Sequence, residues 1–213
     1  MMRTIIPVSM VLLLAGCGPL VQVGGNTPPP TALLTLSATA PEAVPAGLAV
    51  VDPDATVSVE TPDVTGALRT FRIPVTINDT GIQYLTEGRW SEPPSRLFRR
   101  VVADTLVHAG IPVIDTQSTG LTARQRLTGE LTAFGVDTRS SPIVRVRYDA
   151  TLAGPGGVRQ RRFERTEPLT TVNSEHAAVA LNSATNAVAT DIAHWIRQTH
   201  ASTPAGTTPA SGH

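Results

Sequence analysis

The 213-residue sequence contains one cysteine, Cys17, and it stands directly after Leu14-Ala15-Gly16. A thiol can form a disulfide, ligate a metal, attack a substrate or carry a covalent lipid. One thiol alone makes no intramolecular disulfide. The other side chains able to do chemistry are thinly spread. His108, His176, His194 and His200 show no Cys/His/Asp spacing that matches a metal site. His194 follows Asp191 by three residues in a helical stretch, which leaves a Ser-His-Asp arrangement open. There is no Gly-x-Ser-x-Gly elbow and no glycine loop of the phosphate-binding kind. The sequence therefore gives no ground for an enzyme, a bound metal, a cofactor or a nucleotide. Cys17 is left as the residue with the most definite chemistry.

The residues before Cys17 define that chemistry. Arg3 supplies a charged start, and Ile5, Ile6, Val8, Met10, Val11, Leu12 and Leu13 make an apolar run of about 10 residues. That suits a secretory signal and falls well short of the roughly 20 residues of a spanning helix. Ala15 and Gly16 are small enough for a signal peptidase cleft. An ordinary signal peptide with a chance cysteine would also begin this way. Leu-Ala-Gly-Cys nevertheless resembles the bacterial lipobox at all four positions. The resemblance implies a signal peptide over residues 1–16, cleavage before Cys17, S-diacylglycerol on its sulfur and an N-palmitoyl group on the new amino terminus. Several chains on one residue would anchor the protein firmly, at roughly 0.8 kcal/mol per buried methylene. Gly18 comes next, rather than the aspartate that commonly retains lipoproteins in the inner membrane. The expected place is the periplasmic face of the outer membrane, with a lipidated flexible tether over residues 17–31.

Composition narrows the partners. The chain has 17 basic and 17 acidic residues, and removal of Arg3 leaves 16 against 17, one unit negative. A nucleic-acid partner calls for a basic face, and none is implied. All the basic residues are arginine, and with the abundant Ala, Pro, Gly and Val this reads as genomic GC bias. The mature length fits one domain. A Ser/Thr/Pro/Gly/Ala tail over residues 201–213 is expected to be disordered.

The elements between tether and tail follow from periodicity. Ala32–Ser37 is a strand candidate, Thr39–Leu48 a loop, and 49–51 and 56–59 are short β-prone pieces. Phe71–Ile77 alternates apolar and polar at period 2 and pairs as a hairpin with Ile82–Leu85. Pro74 falls on the outward side of that alternation, so the strand is expected at an edge or with a bulge. Ser91 is the expected N-cap of a helix in which Leu97, Phe98, Val101, Val102, Leu106 and Ala109 share a face and Gly110 marks the stop. Val113–Ile114 begins a strand, and Gln117–Gly120 is a turn. Arg126–Val136 is a strand whose phase slips near Ala133-Phe134, which predicts a bulge. Val144, Val146, Tyr148, Ala150 and Leu152 alternate with Arg145, Arg147, Asp149 and Thr151. Gly154–Gly157 turns the chain into a returning strand, Val158–Glu164. Asn173 or Ser174 caps a last helix running to about Gln198. The sum is an α+β fold: a mixed or mostly antiparallel sheet with two long helices packed on one face.

In this order the residues resemble a family. Leu34-Thr35-Leu36, Phe71-Arg72-Ile73-Pro74-Val75, Tyr84-Leu85 and Arg89-Trp90-Ser91-Glu92-Pro93 are followed by Leu97-Phe98. Then come Leu127-Thr128-Gly129-Glu130-Leu131, Phe134-Gly135-Val136-Asp137, Val146-Arg147-Tyr148-Asp149-Ala150, Arg162-Phe163 and Ala180-Leu181-Asn182. The whole is similar to the ABC-type transport auxiliary lipoproteins, with a domain expected over residues 32–200. The resemblance implies an outer-membrane partner of Mce-type intermembrane lipid or organic-solvent transport, bound to a Mce-domain protein, with the ATPase on another polypeptide. The segment between the first hairpin and Trp90 departs from the family's commoner, longer Pro-rich form.

Candidate partner-binding residues are Arg89, Trp90 and Glu92, before the first helix, and Arg159 and Arg161 in the returning strand beside Arg162 and Arg165. Each has a plainer reading. Trp90 packs as a staple against the core, the arginines solvate a strand face near Glu164 and Glu167, and Trp195 fills the core. Arg96, Arg99 and Arg100 form a second basic cluster. Two other functions stay open: a carrier that holds an acyl chain in its own cavity, and a structural or assembly lipoprotein of the envelope.

Overall fold

The computed structural model of the chain describes residues 33–39 and 52–201. The signal region, Cys17, the tether, the residues from Ala40 to Val51 and those beyond Ala201 lie outside the described residues. The elements run in order: β1 (Leu33–Leu34), β2 (Val57–Val59), β3 (Asp63–Val64), β4 (Pro74–Thr76), β5 (Ile82–Tyr84), β6 (Arg89–Trp90), α1 (Pro94–His108), α2 (Thr116–Thr119), β7 (Gln125–Asp137), β8 (Ile143–Gly154), β9 (Gly157–Pro168) and α3 (Ser174–Ala201).

Strand β7 is the spine. One side pairs antiparallel with β8 along its length, and β8 pairs antiparallel with β9. The other side is shared in turn by β2, β3 and β4, all parallel to β7. β4 then pairs antiparallel with β5, giving the order β5-β4-β7-β8-β9. Separately, β1 and β6 form a two-stranded parallel pair. The architecture is thus α+β, with a mixed and mostly antiparallel sheet.

The alternation in β8 explains which face is covered. Val144, Val146, Tyr148, Ala150 and Leu152 are buried under α1 and α3. Phe98 of α1 meets Tyr148 with ring centroids 5.0 Å apart, and Trp195 of α3 meets Phe163 edge-on at 5.6 Å. Such tilted pairs add to the area they bury. The expected phase slip is present as a register shift between Leu131 and Ala133. It keeps Leu127 and Leu131 on the covered face and returns Phe134 and Val136 to it. Gly129 shares that face with Leu127 and Leu131, and the Tyr148 ring occupies the space a side chain would fill.

Several local expectations differ from the structure for identifiable reasons. Pro74 is buried and lies in β4, between β5 and β7, not on an edge. It is the first residue of its strand, where a missing N–H is tolerated. Gly135 of β7 allows the approach, since a Cβ there would sit 2.5 Å from the Pro74 carbonyl oxygen. Ser91 does not cap α1. Its N–H donates to the Leu34 carbonyl at 2.8 Å, and the helix opens at Pro93-Pro94 without a side-chain cap. Gln117–Gly120 is not a plain turn, because residues 116–119 wind into the single helical turn of α2. Val113 makes only an isolated bridge to Val57, so no strand forms there. Asn173, not Ser174, caps α3: its Oδ1 accepts from His176 N at 2.9 Å, while Ser174 donates to the Glu87 carbonyl. The helix continues past Gln198 to Ala201.

The expected first strand is shorter than Ala32–Ser37, and side chains of α3 hold the residues just beyond it. Asn182 Oδ1 accepts from Ser37 N at 2.9 Å, and Asn186 Oδ1 accepts from Thr39 N at 2.8 Å. Asn186 Nδ2 donates to Ser37 O at 2.9 Å. One helical turn apart, the two amides reproduce the donor and acceptor pattern of a neighbouring strand. Leu36, between them and β1, is buried.

Candidate partner-binding surface

The sheet face opposite the helices carries an ionic ladder built by the hairpin register. Pairing sets Arg147 against Glu164 and Asp149 against Arg162. Arg147 Nε donates to Glu164 Oε2 at 2.8 Å, and Arg145 reaches both Glu164 and Asp137, the latter at 3.2 Å. Arg139 binds Asp137 through two nitrogens, at 3.0 and 2.7 Å, and Asp79 at 3.1 Å. Arg162 grips Asp149 at 2.5 and 2.9 Å. Bidentate arginine–carboxylate pairs are the stronger kind of charged hydrogen bond.

These contacts shift the carboxylates downward. The Arg139 guanidinium beside Asp137 holds its carboxyl well below the usual range, against a smaller opposing effect of burial. Arg162 lowers Asp149, and Arg147 followed by Arg145 lowers Glu164. A carboxylate with a depressed folded pKa adds stability that is present above its unfolded value and lost as pH falls toward the folded one. The unfolded values lie at about 3.9 to 4.3. The midpoint of urea unfolding is therefore expected to hold between pH 7 and about 5 and to fall on acidification toward pH 2. In Asp137→Asn the acid-induced fall is expected to be smaller. An unchanged pH dependence in that variant would remove Asp137 from the account.

Against this compensated face, two cations stand apart. Arg159 and Arg161 lie on β9 in register with Leu152 and Ala150, so they belong to the helix-side row. In the same row Arg165 is paired with Asp191 of α3 at 2.5 Å. Arg159 and Arg161 have no carboxylate partner among the described residues. Arg161 lies over the Phe163 ring at 5.2 Å from its centroid. β9 is the last strand of the sheet order, and Phe163 is the one residue of it that is buried.

The other candidates fall elsewhere. Arg89 is exposed on β6. Trp90 is 1% exposed and packs on Phe134, with centroids 5.6 Å apart. Its indole N–H has no hydrogen-bond partner among the described residues. Glu92 forms an ion pair with Arg100. Arg96, Arg99 and Arg100 line a hollow of about 360 Å³, but Glu60, Glu92 and Asp115 line it too, so the charges cancel. Asp191 is engaged by Arg165, and His194 Nδ1 contacts Arg197 at 3.0 Å, so the two do not pair. Among the described residues no group of three His, Cys, Asp or Glu side chains is placed to hold a metal ion. No helix of the described residues is long and apolar enough to cross a membrane. The individual arginines were visible in the sequence, but only the strand register separates the paired from the unpaired.

The fold is an α+β domain with an aromatic-lined core and a charged last strand, and the family comparison gives it a definite class. The model of the ABC-type transport auxiliary lipoprotein component family matches residues 34–193. The chain belongs to that family: it is a lipoprotein of the cell envelope that accompanies an ABC-type transport system. Among solved structures, the Xanthomonas campestris protein XCC0632, of family DUF330, is similar with TM-score 0.61 and 18% identity, over 82% of this chain and 98% of that one. An uncharacterised protein is similar with TM-score 0.59 and 17% identity, over 67% of this chain and 92% of that one. A minor lipoprotein from Acinetobacter baumannii gives TM-score 0.38 and 7% identity, over 68% of this chain and 94% of that one. No curated protein matches the sequence significantly.

Proposed function

We propose that this protein is a lipid-anchored adaptor of a Mce-type transport system. It would dock a Mce-domain protein at the periplasmic face of the outer membrane, where phospholipids or other hydrophobic compounds pass between the membranes. Cys17 supplies the anchor, residues 17–31 set its reach, and the α+β domain contributes a binding surface rather than a reaction.

The observation that carries this reading is the aromatic packing between helices and sheet. Phe98 of α1 lies against Tyr148 and Trp195 of α3 against Phe163. A carrier would keep an apolar cavity in that position. Where large side chains occupy that position, the molecule has its surface to work with.

The test is a cross-linking capture from the host envelope, with the intact protein and Cys17→Ala. The intact protein is expected to be recovered in the membrane fraction with a Mce-domain protein attached. Cys17→Ala is expected in the soluble fraction, with several-fold less captured partner. Lipid co-purifying with the Cys17→Ala protein, and no transport component, would replace the adaptor with the carrier.

A further inference from the structure

We propose that the outer edge of β9, over Arg159 to Phe163, binds an extended acidic segment of a partner protein by strand addition. The proposal rests on the adaptor reading above for the identity of that partner, but not for the chemistry of the edge.

β9 spans Gly157–Pro168 and, among the described residues, pairs on one side only, with β8. Its other side presents backbone N–H and C=O groups with no strand partner among those residues. An edge of this length accepts another strand unless something prevents it. One end is already occupied, since Arg165 Nη1 donates to the Glu164 carbonyl at 3.2 Å. The stretch from Arg159 to Phe163 has no such contact.

Charge then selects the occupant. The other four arginines of the hairpin, Arg145, Arg147, Arg162 and Arg165, are each matched by a carboxylate of this chain. Arg159 and Arg161 are not matched, and they project to the same side two residues apart. Cations on an edge repel another basic strand and strip a neutral one of its advantage. The same cations favour a strand with carboxylates at alternate positions, because side chains two apart on the added strand fall on one face. Arg161 is held over the Phe163 ring, which reduces the rotamer freedom it would lose on binding.

The partner-independent test uses the purified full-length protein and an acetylated, fluorescent octapeptide of alternating valine and aspartate, read by anisotropy. Saturable binding is expected, weakened by salt and reduced at least about tenfold in Arg159→Glu/Arg161→Glu. The charge-matched Arg69→Glu/Arg96→Glu, whose side chains are exposed and lie on none of the strands β7, β8 and β9, is expected to bind as the parent does. A peptide of inverted charge is expected not to bind the parent. No binding of the acidic peptide, or equal binding by both double variants, overturns the proposal. Circular dichroism melting verifies that Arg159→Glu/Arg161→Glu folds; if it does not, Arg159→Gln/Arg161→Gln takes its place.

In cells, a photo-crosslinker at Gln160 is expected to capture a peptide of the transport partner with acidic residues at alternate positions. Capture of a second copy of this chain, or of a neutral segment, overturns the proposal and leaves the adaptor reading intact. If acidic-peptide binding holds while the envelope yields no Mce-domain protein, the adaptor reading falls and the strand-addition site stands.

Discussion

Trp90→Ala is expected to lower stability by about 3–5 kcal/mol, the range for removing a large buried aromatic side chain. For a domain of this size that corresponds to a fall in melting temperature of roughly 10 °C or more. Trp90 is almost wholly inaccessible, packs on Phe134 of β7 and pairs through its backbone with Leu34 of β1. Its loss leaves a cavity where the N-terminal segment meets the sheet. Trp90→Phe sharpens the test. The indole N–H of Trp90 has no partner among the described residues, so phenylalanine sacrifices volume but none of the hydrogen bonds seen there. It is expected to cost less than half as much as alanine. Equal losses from the two replacements would mean that the nitrogen matters and the packing account is wrong. Thermal melts of the three proteins decide the matter.

Gly129→Ala is expected to be nearly as damaging, for the opposite reason. A methyl group there would collide with the Asp149 backbone carbonyl and lie 2.8 Å from the Tyr148 ring. The carbonyl belongs to β8 and cannot step aside without breaking the ladder between β7 and β8. The ring is held by Phe98 of α1. Overpacking typically costs about 1–3 kcal/mol, and a backbone obstacle places this site at the upper end. Denaturant unfolding with the β7 register monitored by hydrogen exchange is the suitable measurement. A loss below about 0.5 kcal/mol would show that the strand pair can part locally, contrary to the close fit at this site.

The two sites show what could be read from sequence and what could not. The alternation from Val144 to Leu152 is unbroken, so the buried face, the strand and its returning neighbour were legible. So was the irregularity near Ala133, because the apolar phase shifts there. α1 and α3 each have a long apolar stripe. The pairing of β1 with β6, and of β2 and β3 with β7, was not legible. Strands of two or three residues carry too little period to fix their partners, and tertiary contacts hold them. Pro74 misled because its missing N–H argues against an interior strand, yet at the first position of β4 it forfeits nothing. The ionic ladder needed the register as well. Four arginines occur within Arg159–Arg165, and only knowing that Arg162 lies against Asp149 and that Arg165 meets Asp191 shows which two remain uncompensated.

The contacts of Asn182 and Asn186 with residues 37–39 bear on how the domain carries load. Whatever pull arrives along the chain from its N-terminal side enters the described fold at Leu33. It must be handed on within residues 33–39. Leu34 and Ser91 share one backbone bond, while Ser37 and Thr39 hand their share to Asn182 and Asn186 through three side-chain bonds. Tension is thereby shared between the two-stranded pair and the middle of the 28-residue α3, which itself grips β9 through Asp191 with Arg165 and Ser183 with Glu167. A pull on residues 33–39 would then reach the last strand of the sheet through α3, so that load at the entry of the domain and occupancy of its open edge are coupled through one helix.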